Sequence, residues 1–413
     1  MEGWVASSPR EELRPEFSVD PVTGNLLITT DHREGLQGWW ARKFEVAGGT
    51  HLEFSCRYRA EGVECLRRNV FARIHWRDEV ENPVAQTAPC YRIEHYPAGP
   101  PLAETEYPGD NAVDRDGWTE IRGEYTVPVD ATTAIVELHL QWASHARVEW
   151  SRVNLRKLPP PSRRLVGLGA IHFNPPGGGT TLDNCRLTEP LIRESAEKGA
   201  DLVVLGEHLP SQGIYPLAAT AETIPGPATN FFAGLARQFG IHIVVGILER
   251  EGTLVYNSAI LLGPGGELIG KYRKVTLPTP EVEAGLAPGD EYPVFSTRLG
   301  RVGIMICYDA FFPEVARQLY LNGAEIIAWP VWGSSPIFPA ARALENQVYV
   351  VASTYEDARV GDWAVTGIYD PQGKVIAGTS AQGTVVVTSV DLNEQPYWQH
   401  LGCWRDRLHR HRP

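Results

Sequence analysis

Three consecutive prolines, Pro159, Pro160 and Pro161, constrain this chain more than any other feature. Proline lacks a backbone N–H and has a fixed φ, so such a run continues neither a helix nor a central strand and forms a stiff extended connector. The hydrophobic rhythm changes across it. Before the prolines, short runs such as His51 to Tyr58, Asn69 to Trp76 and Ala134 to Leu140 alternate apolar and polar residues, and Gly, Pro and Asp clusters separate them. Strands with period two bury one face each, so an all-β sandwich is the expected architecture for residues 1–158. No segment there carries a helical period.

Beyond the linker, 159–163, strand and helix patterns take turns. Apolar strands are expected at Leu165 to Ile171, Asp201 to Gly206, Ile241 to Ile247, Arg301 to Ile306, Glu325 to Trp329 and Val348 to Ala352. Helices fit Leu182 to Lys198, Thr229 to Gln238, Pro313 to Asn322 and Ala340 to Gln347, and two hairpin-like runs, Ala364 to Asp370 and Gly383 to Val390, close the series. Near-continuous apolar strands between helices predict an α/β domain over 164–392 with its sheet buried on both faces. The last segment, 393–413, ends in the short basic run His409 to Pro413 and reads as a solvated tail.

Composition narrows the function classes. A length of 413 residues suits two or three domains. The net charge of −12 repels phosphate backbones and argues against a nucleic-acid partner. No apolar run has the length of a membrane span, and Met1 to Arg10 lacks the apolar core of a leader, so no membrane role is expected. Six cysteines without a CxxC pair make neither a disulfide framework nor a zinc site, which reads as a cytoplasmic protein with reduced thiols and no metal. Seven of the twelve tryptophans precede residue 155, and strand tryptophans of that kind usually serve the core.

Three residues in the α/β half have the chemistry of acyl transfer. Glu207 follows an apolar strand, at the sheet edge where open α/β folds build their sites; a capping acid fits the same position. Lys274 ends the run Gly270 to Pro278, where a solvated charge is the alternative. Cys307 closes the strand before a helix at Pro313, an elbow that exposes a nucleophile and aims N–H groups at an oxyanion; a core thiol is the alternative.

In order and context the three resemble the nitrilase (carbon–nitrogen hydrolase) superfamily. The residues that carry the resemblance are Glu207, the run Tyr272 to Pro278 around Lys274, and Cys307 to Glu314, reading Cys-Tyr-Asp-Ala-Phe-Phe-Pro-Glu, with echoes at Tyr256 to Ser258, Pro288 to Asp290 and Arg342 to Asn346. The resemblance spans about residues 163–392. It implies an αββα sandwich, a Glu-Lys-Cys triad, a homodimer or higher homo-oligomer, and no cofactor. It also implies a second glutamate near the lysine, for which Glu283 is the first choice and Glu281 the alternate. Gly206 and Thr276 depart from the family's usual proline and histidine.

The mechanism this implies has Glu207 as base, a Cys307 thiolate favoured by the neighbouring lysine cation, and Lys274 with the Tyr308 backbone N–H holding the oxyanion. A thioester forms and water releases the acid. Trp332 and Tyr215 are further candidates to line the substrate site, and His208 is expected to make a structural hydrogen bond. The Cys-Tyr-Asp sequence favours a small amide or N-carbamoyl substrate over a nitrile. The first half resembles a jelly-roll carbohydrate-binding-type module through Asp114 to Val129, Ala134 to Leu140 and Val148 to Leu155. A structural or oligomer-forming role is the default for it. A carbohydrate-binding protein with an inactive α/β half is the competing reading.

Overall fold

The computed structural model describes residues 3–91, 99–177, 179–356, 363, 365–394 and 397–412. The chain divides into two compact units, Met1–Ser162 with Gln395–Pro413, and Arg163–Glu394.

The first unit holds two large antiparallel sheets and a small three-stranded one. One large sheet has four strands in the order Val5–Ser7, Gln37–Glu45, Thr133–Gln141, Val70–Arg77. The other has six, in the order Glu16–Val19, Leu26–Thr29, Arg147–Leu158, His51–Glu61, Thr119–Thr126, Gly109–Val113. Alternation explains the core. Ala134, Val136, Leu138 and Leu140 from one sheet and Phe54, Cys56, Tyr58 and Trp150 from the other join a single apolar cluster. The residues between them on Thr133–Gln141 point the other way. There His139 is stacked between Trp39 and Phe71, at 5.0 and 4.7 Å, and hydrogen-bonds Glu137 at 2.9 Å. Tryptophans 76 and 150 are fully buried, whereas Trp142 is 54% exposed.

The end of the chain differs from the solvated tail expected of it. Tyr397–Trp398 pairs in parallel with Cys90–Tyr91 and antiparallel with Gly402–Cys403, and Trp404–His411 is a helix. Arg410, 1% exposed, donates to both carboxylate oxygens of Asp110 at 2.8 and 2.9 Å and to the Pro108 carbonyl. The basic run is therefore partly internal, because a carboxylate far away in sequence neutralises its central arginine. Tyr397 donates its hydroxyl to Glu106 at 3.2 Å.

The second unit has two six-stranded mixed sheets. The first runs Leu268–Arg273, Leu254–Leu262, His242–Glu251, Leu202–Val204, Leu165–His172, Thr384–Asp391, and the second runs Val294–Thr297, Gly300–Ile304, Ile326–Pro330, Tyr349–Ser353, Gly367–Tyr369, Val375–Gly378. Strands at the middle of each are parallel and the flanking ones antiparallel. Leu202 and Val204 face the second sheet's Val302, Ile304, Ile326 and Ala328 in one core, while Val203 and Leu205 pack on Ile192, Phe232 and Leu235. On the far side Ile327, Trp329 and Val350 pack on Val315, Leu319 and Ala343. The layers are helix, sheet, sheet, helix. Each fully buried Leu or Ile in such a core contributes about 1.5–3 kcal/mol.

The helix Thr181–Glu197 starts at a reciprocal cap, with Thr180 Oγ1 accepting from the Asp183 N–H and Asp183 accepting from the Thr180 N–H. Pro227–Phe239 and Pro313–Leu321 both begin on proline, and Gly240 ends the former in the left-handed region. The two runs expected to close the α/β half are not partners. Gly367–Tyr369 pairs with Val375–Gly378, and Thr384–Asp391 joins Leu165–His172 in the other sheet. Ala364, at the start of the first run, lies outside the described residues.

Candidate active site

Four segments of the second unit converge on Lys274. Glu207 comes after the strand Leu202–Val204, where the Gly246 N–H donates to the Gly206 carbonyl at 3.2 Å. Lys274 comes directly after Leu268–Arg273, its backbone tied to Asn257 and Gly289 at 2.8 Å each. Glu281 sits on the short helix Thr279–Glu283, and Asn257 is on the strand Leu254–Leu262. The lysine is 1% exposed. Its Nζ donates to Glu207 at 2.9 Å and to Glu281 at 2.5 Å. Asn257 Nδ2 donates to the same two carboxylates, at 2.7 and 3.2 Å.

The sequence reading preferred Glu283 as the second glutamate. The structure overturns that choice: Glu283 is exposed and Glu281 is the one in contact with Lys274. Two residues along a helix rotate a side chain by about 200°, so only one of the pair can face the lysine.

Cys307 begins a 3-10 turn, Cys307–Phe311, that follows the strand Gly300–Ile304. Its φ of +40° lies in the left-handed region, uncommon for a side chain with a Cβ, and the elbow is held from below. Asp309 supplies that hold, accepting from the Ile306 N–H at 2.9 Å, the Tyr272 hydroxyl at 2.7 Å and the Thr276 N–H at 3.0 Å. The Thr276 hydroxyl donates to the same carboxylate at 2.5 Å, so the residue that departs from the family's histidine ties the lysine segment to the cysteine turn. Trp329 Nε1 donates to the Cys307 carbonyl at 3.2 Å.

Burial and neighbouring charges set the protonation states. Burial pushes the Cys307 thiol well up, and the Glu207 charge adds to this; the Lys274 cation and the backbone N–H of Trp332 offset only part of it. Burial and the Glu207 charge thus work against the thiolate that the lysine cation was expected to favour. Burial raises Glu207 too, but the Lys274 and His208 charges outweigh it and hold the carboxyl below its usual value. Burial would lower Lys274, yet the neighbouring carboxylates, Glu207 first, keep it cationic. Burial and the Glu207 charge raise Glu281 to about 7. An ionised base beside a protonated thiol is an arrangement for proton transfer on demand.

The remaining predicted residues lie around this centre. Trp332, 45% exposed, follows Ile326–Pro330 and packs edge-on against Tyr355 at 6.4 Å. Tyr308 is half-buried against Phe311 and Phe312, each at 5.2 Å. Tyr215 is 83% exposed, on the loop after Glu207. His208 hydrogen-bonds Gln212 at 2.8 Å.

Two residues escaped the sequence reading. Asn257 bridges the carboxylates; its place in Tyr256 to Ser258 was visible, its partners were not. Tyr355, buried and hydrogen-bonded by Gln212, stands 2.7 Å from where a Cβ on Gly206 would be. The glycine that replaces the family's proline is what makes room for that ring. Among the described residues no group of three or more His, Cys, Asp or Glu could hold a metal ion.

Comparison with known proteins shows the family. The sequence profile of the family described as Carbon-nitrogen hydrolase matches residues 179–398. A nitrilase of Pyrococcus abyssi is 42% identical over 188 residues, 43% of this chain and 70% of that protein. The omega-amidase NIT2-B of Xenopus laevis is 35% identical over 231 residues, 51% of this chain and 83% of its own length. Among solved structures, a variant of the Nesterenkonia AN1 amidase from the nitrilase superfamily superposes with a TM-score of 0.50 at 23% identity, covering 57% of this chain and 93% of that one, a likeness of fold.

Together these define a hydrolase that acts on carbon–nitrogen bonds. The chain belongs to the carbon–nitrogen hydrolase family of the nitrilase superfamily.

Proposed function

We propose that the second unit hydrolyses a small amide to a carboxylic acid and ammonia or an amine through a Cys307 thioester. The observation that carries this reading is the buried Lys274 ammonium held by both Glu207 and Glu281, with Cys307 at the strand-to-helix elbow of the same unit. Glu207 takes the thiol proton as Cys307 attacks the carbonyl, and Lys274 with the Tyr308 N–H receives the oxyanion. Glu207 then gives its proton to the leaving amine and activates the water that frees the acid. Glu281 and Asn257 keep the lysine and the base in register. Cys307→Ala should lower ammonia release from a panel of small amides by about a thousandfold or more. Retention of most of the activity would refute the mechanism.

A nitrile substrate is the second reading, favoured by the 42% identity to a protein described as a nitrilase. Cys-Tyr-Asp at 307–309 favours the amide, and an N-carbamoyl substrate differs from it by releasing carbon dioxide with the ammonia. Adding nitriles and N-carbamoyl compounds to the panel, with carbon dioxide measured beside ammonia, separates the three. For the first unit, with its two large antiparallel sheets, we favour a jelly-roll-like module that serves structure or homo-oligomer formation in a cytoplasmic enzyme. A carbohydrate-binding protein with an inactive second unit is the reading that loss of activity in Cys307→Ala excludes.

A further inference from the structure

The first unit contains a cavity of about 250 Å3 whose lining has no carboxylate, in a chain of net charge −12. Phe71, Tyr107, Trp142 and the His411 ring supply aromatic walls, and Arg67, Arg68 and Arg410 supply the positive side. Tyr107 meets the His411 ring edge-on at 5.2 Å and Phe71 at 5.9 Å, so the aromatic wall is continuous. Beneath Phe71 the stack goes on to His139, whose Nδ1 is buried without a hydrogen-bond partner among the described residues.

The cations differ in what they already hold. Arg410 is committed to Asp110, but its Nε is buried and unpartnered. Arg68 is exposed and meets no carboxylate among the described residues. The field is felt at His411, where burial and the Arg407, Arg410 and Arg68 charges together push the imidazole down. An unneutralised guanidinium beside flat aromatic faces is suited to an oxyanion carried on a ring, with the anion on the arginine and the ring stacked on the wall. The volume suits one ring, below the range of drug-sized ligands.

We propose that this cavity binds a small one-ring ligand bearing a carboxylate or phosphate group, at a site separate from the thiol centre of the second unit. Arg68 fixes the oxyanion, and Phe71, Tyr107 and Trp142 hold the ring. No part of this depends on the reaction proposed above.

The test is titration calorimetry of the full chain with benzoate, phenyl phosphate and benzyl alcohol. One or both anions should bind with a dissociation constant at or below about 1 mM, and the better of the two identifies the group. Arg68→Gln, a change at an exposed position, should weaken that binding about tenfold or more, as should Trp142→Ala. Amide hydrolysis should stay unchanged in both variants, which separates this site from product-like binding near Cys307. Absence of binding by both anions overturns the proposal. So does equal binding of benzyl alcohol, or affinity that Arg68→Gln leaves intact.

Discussion

Glu281 is the carboxyl of the active site whose charge changes near neutral pH. Burial and the neighbouring Glu207 charge raise it to about 7, so it passes from neutral to ionised as pH rises through that value. Ionisation turns its hydrogen bond with Lys274 into an ion pair and so strengthens the hold on the lysine from a second side. We expect kcat to rise with pH through about 7, and Glu281→Gln to abolish that limb, whereas Glu283→Gln leaves the profile as it is. A pH–rate profile of the three proteins decides the matter; an unchanged inflection in Glu281→Gln assigns it to another group. Cys307 shows the same dependence on surroundings. A lysine cation near a cysteine favours the thiolate, but desolvation and the Glu207 charge work against it. Residue types near one another fix the chemistry available, and desolvation fixes the resting state.

At the scale of the elements, glycines set how closely the site's strands approach. A Cβ on Gly246 would lie 2.7 Å from the Glu207 Cα and 2.5 Å from the His208 N, both main-chain atoms that cannot swing aside. Gly246→Ala should therefore cost about 1–3 kcal/mol in stability and also displace the base, so kcat falls while KM changes little. Thermal melts with steady-state kinetics test this; a destabilised protein with wild-type kcat would show that the base tolerates the shift. The strand and helix rhythm of this unit was legible because parallel strands buried on both faces are apolar throughout, as in Leu202–Val204. The residue after each strand end was legible for the same reason, which is what drew attention to Glu207 and Cys307. What remained hidden was contact between elements. Asn257 reaches Glu207 across 50 positions of sequence, and Tyr355 reaches Gln212 across 143. Hydrophobic period says nothing of such pairs. The choice between Glu281 and Glu283 failed likewise, because a five-residue helix has too little pattern to reveal its facing side.

For the molecule as a whole, the first unit carries a proton-linked cost. Burial, together with the Asp406 charge, raises the Glu106 carboxyl to about 8, and its Oε2 has no partner among the described residues. The folded pKa exceeds the unfolded one, so between about 4.5 and 8 the folded chain holds a proton the unfolded chain has lost. Stability from this group is full below that window and falls as pH rises through it, the reverse of a salt-bridged carboxylate. Glu106→Gln should flatten that decline in melting temperature between pH 5 and 8, roughly the span of the shift. A slope equal to that of the parent protein would mean Glu106 ionises without cost.

The return of residues 397–412 to the first unit also has a consequence for synthesis. Cys90–Tyr91 and Asp110 acquire their partners only after the whole hydrolase unit has left the ribosome. Of the two units, the one made earlier is thus the one completed later. The enzyme unit has its whole sequence in hand before the unit that precedes it.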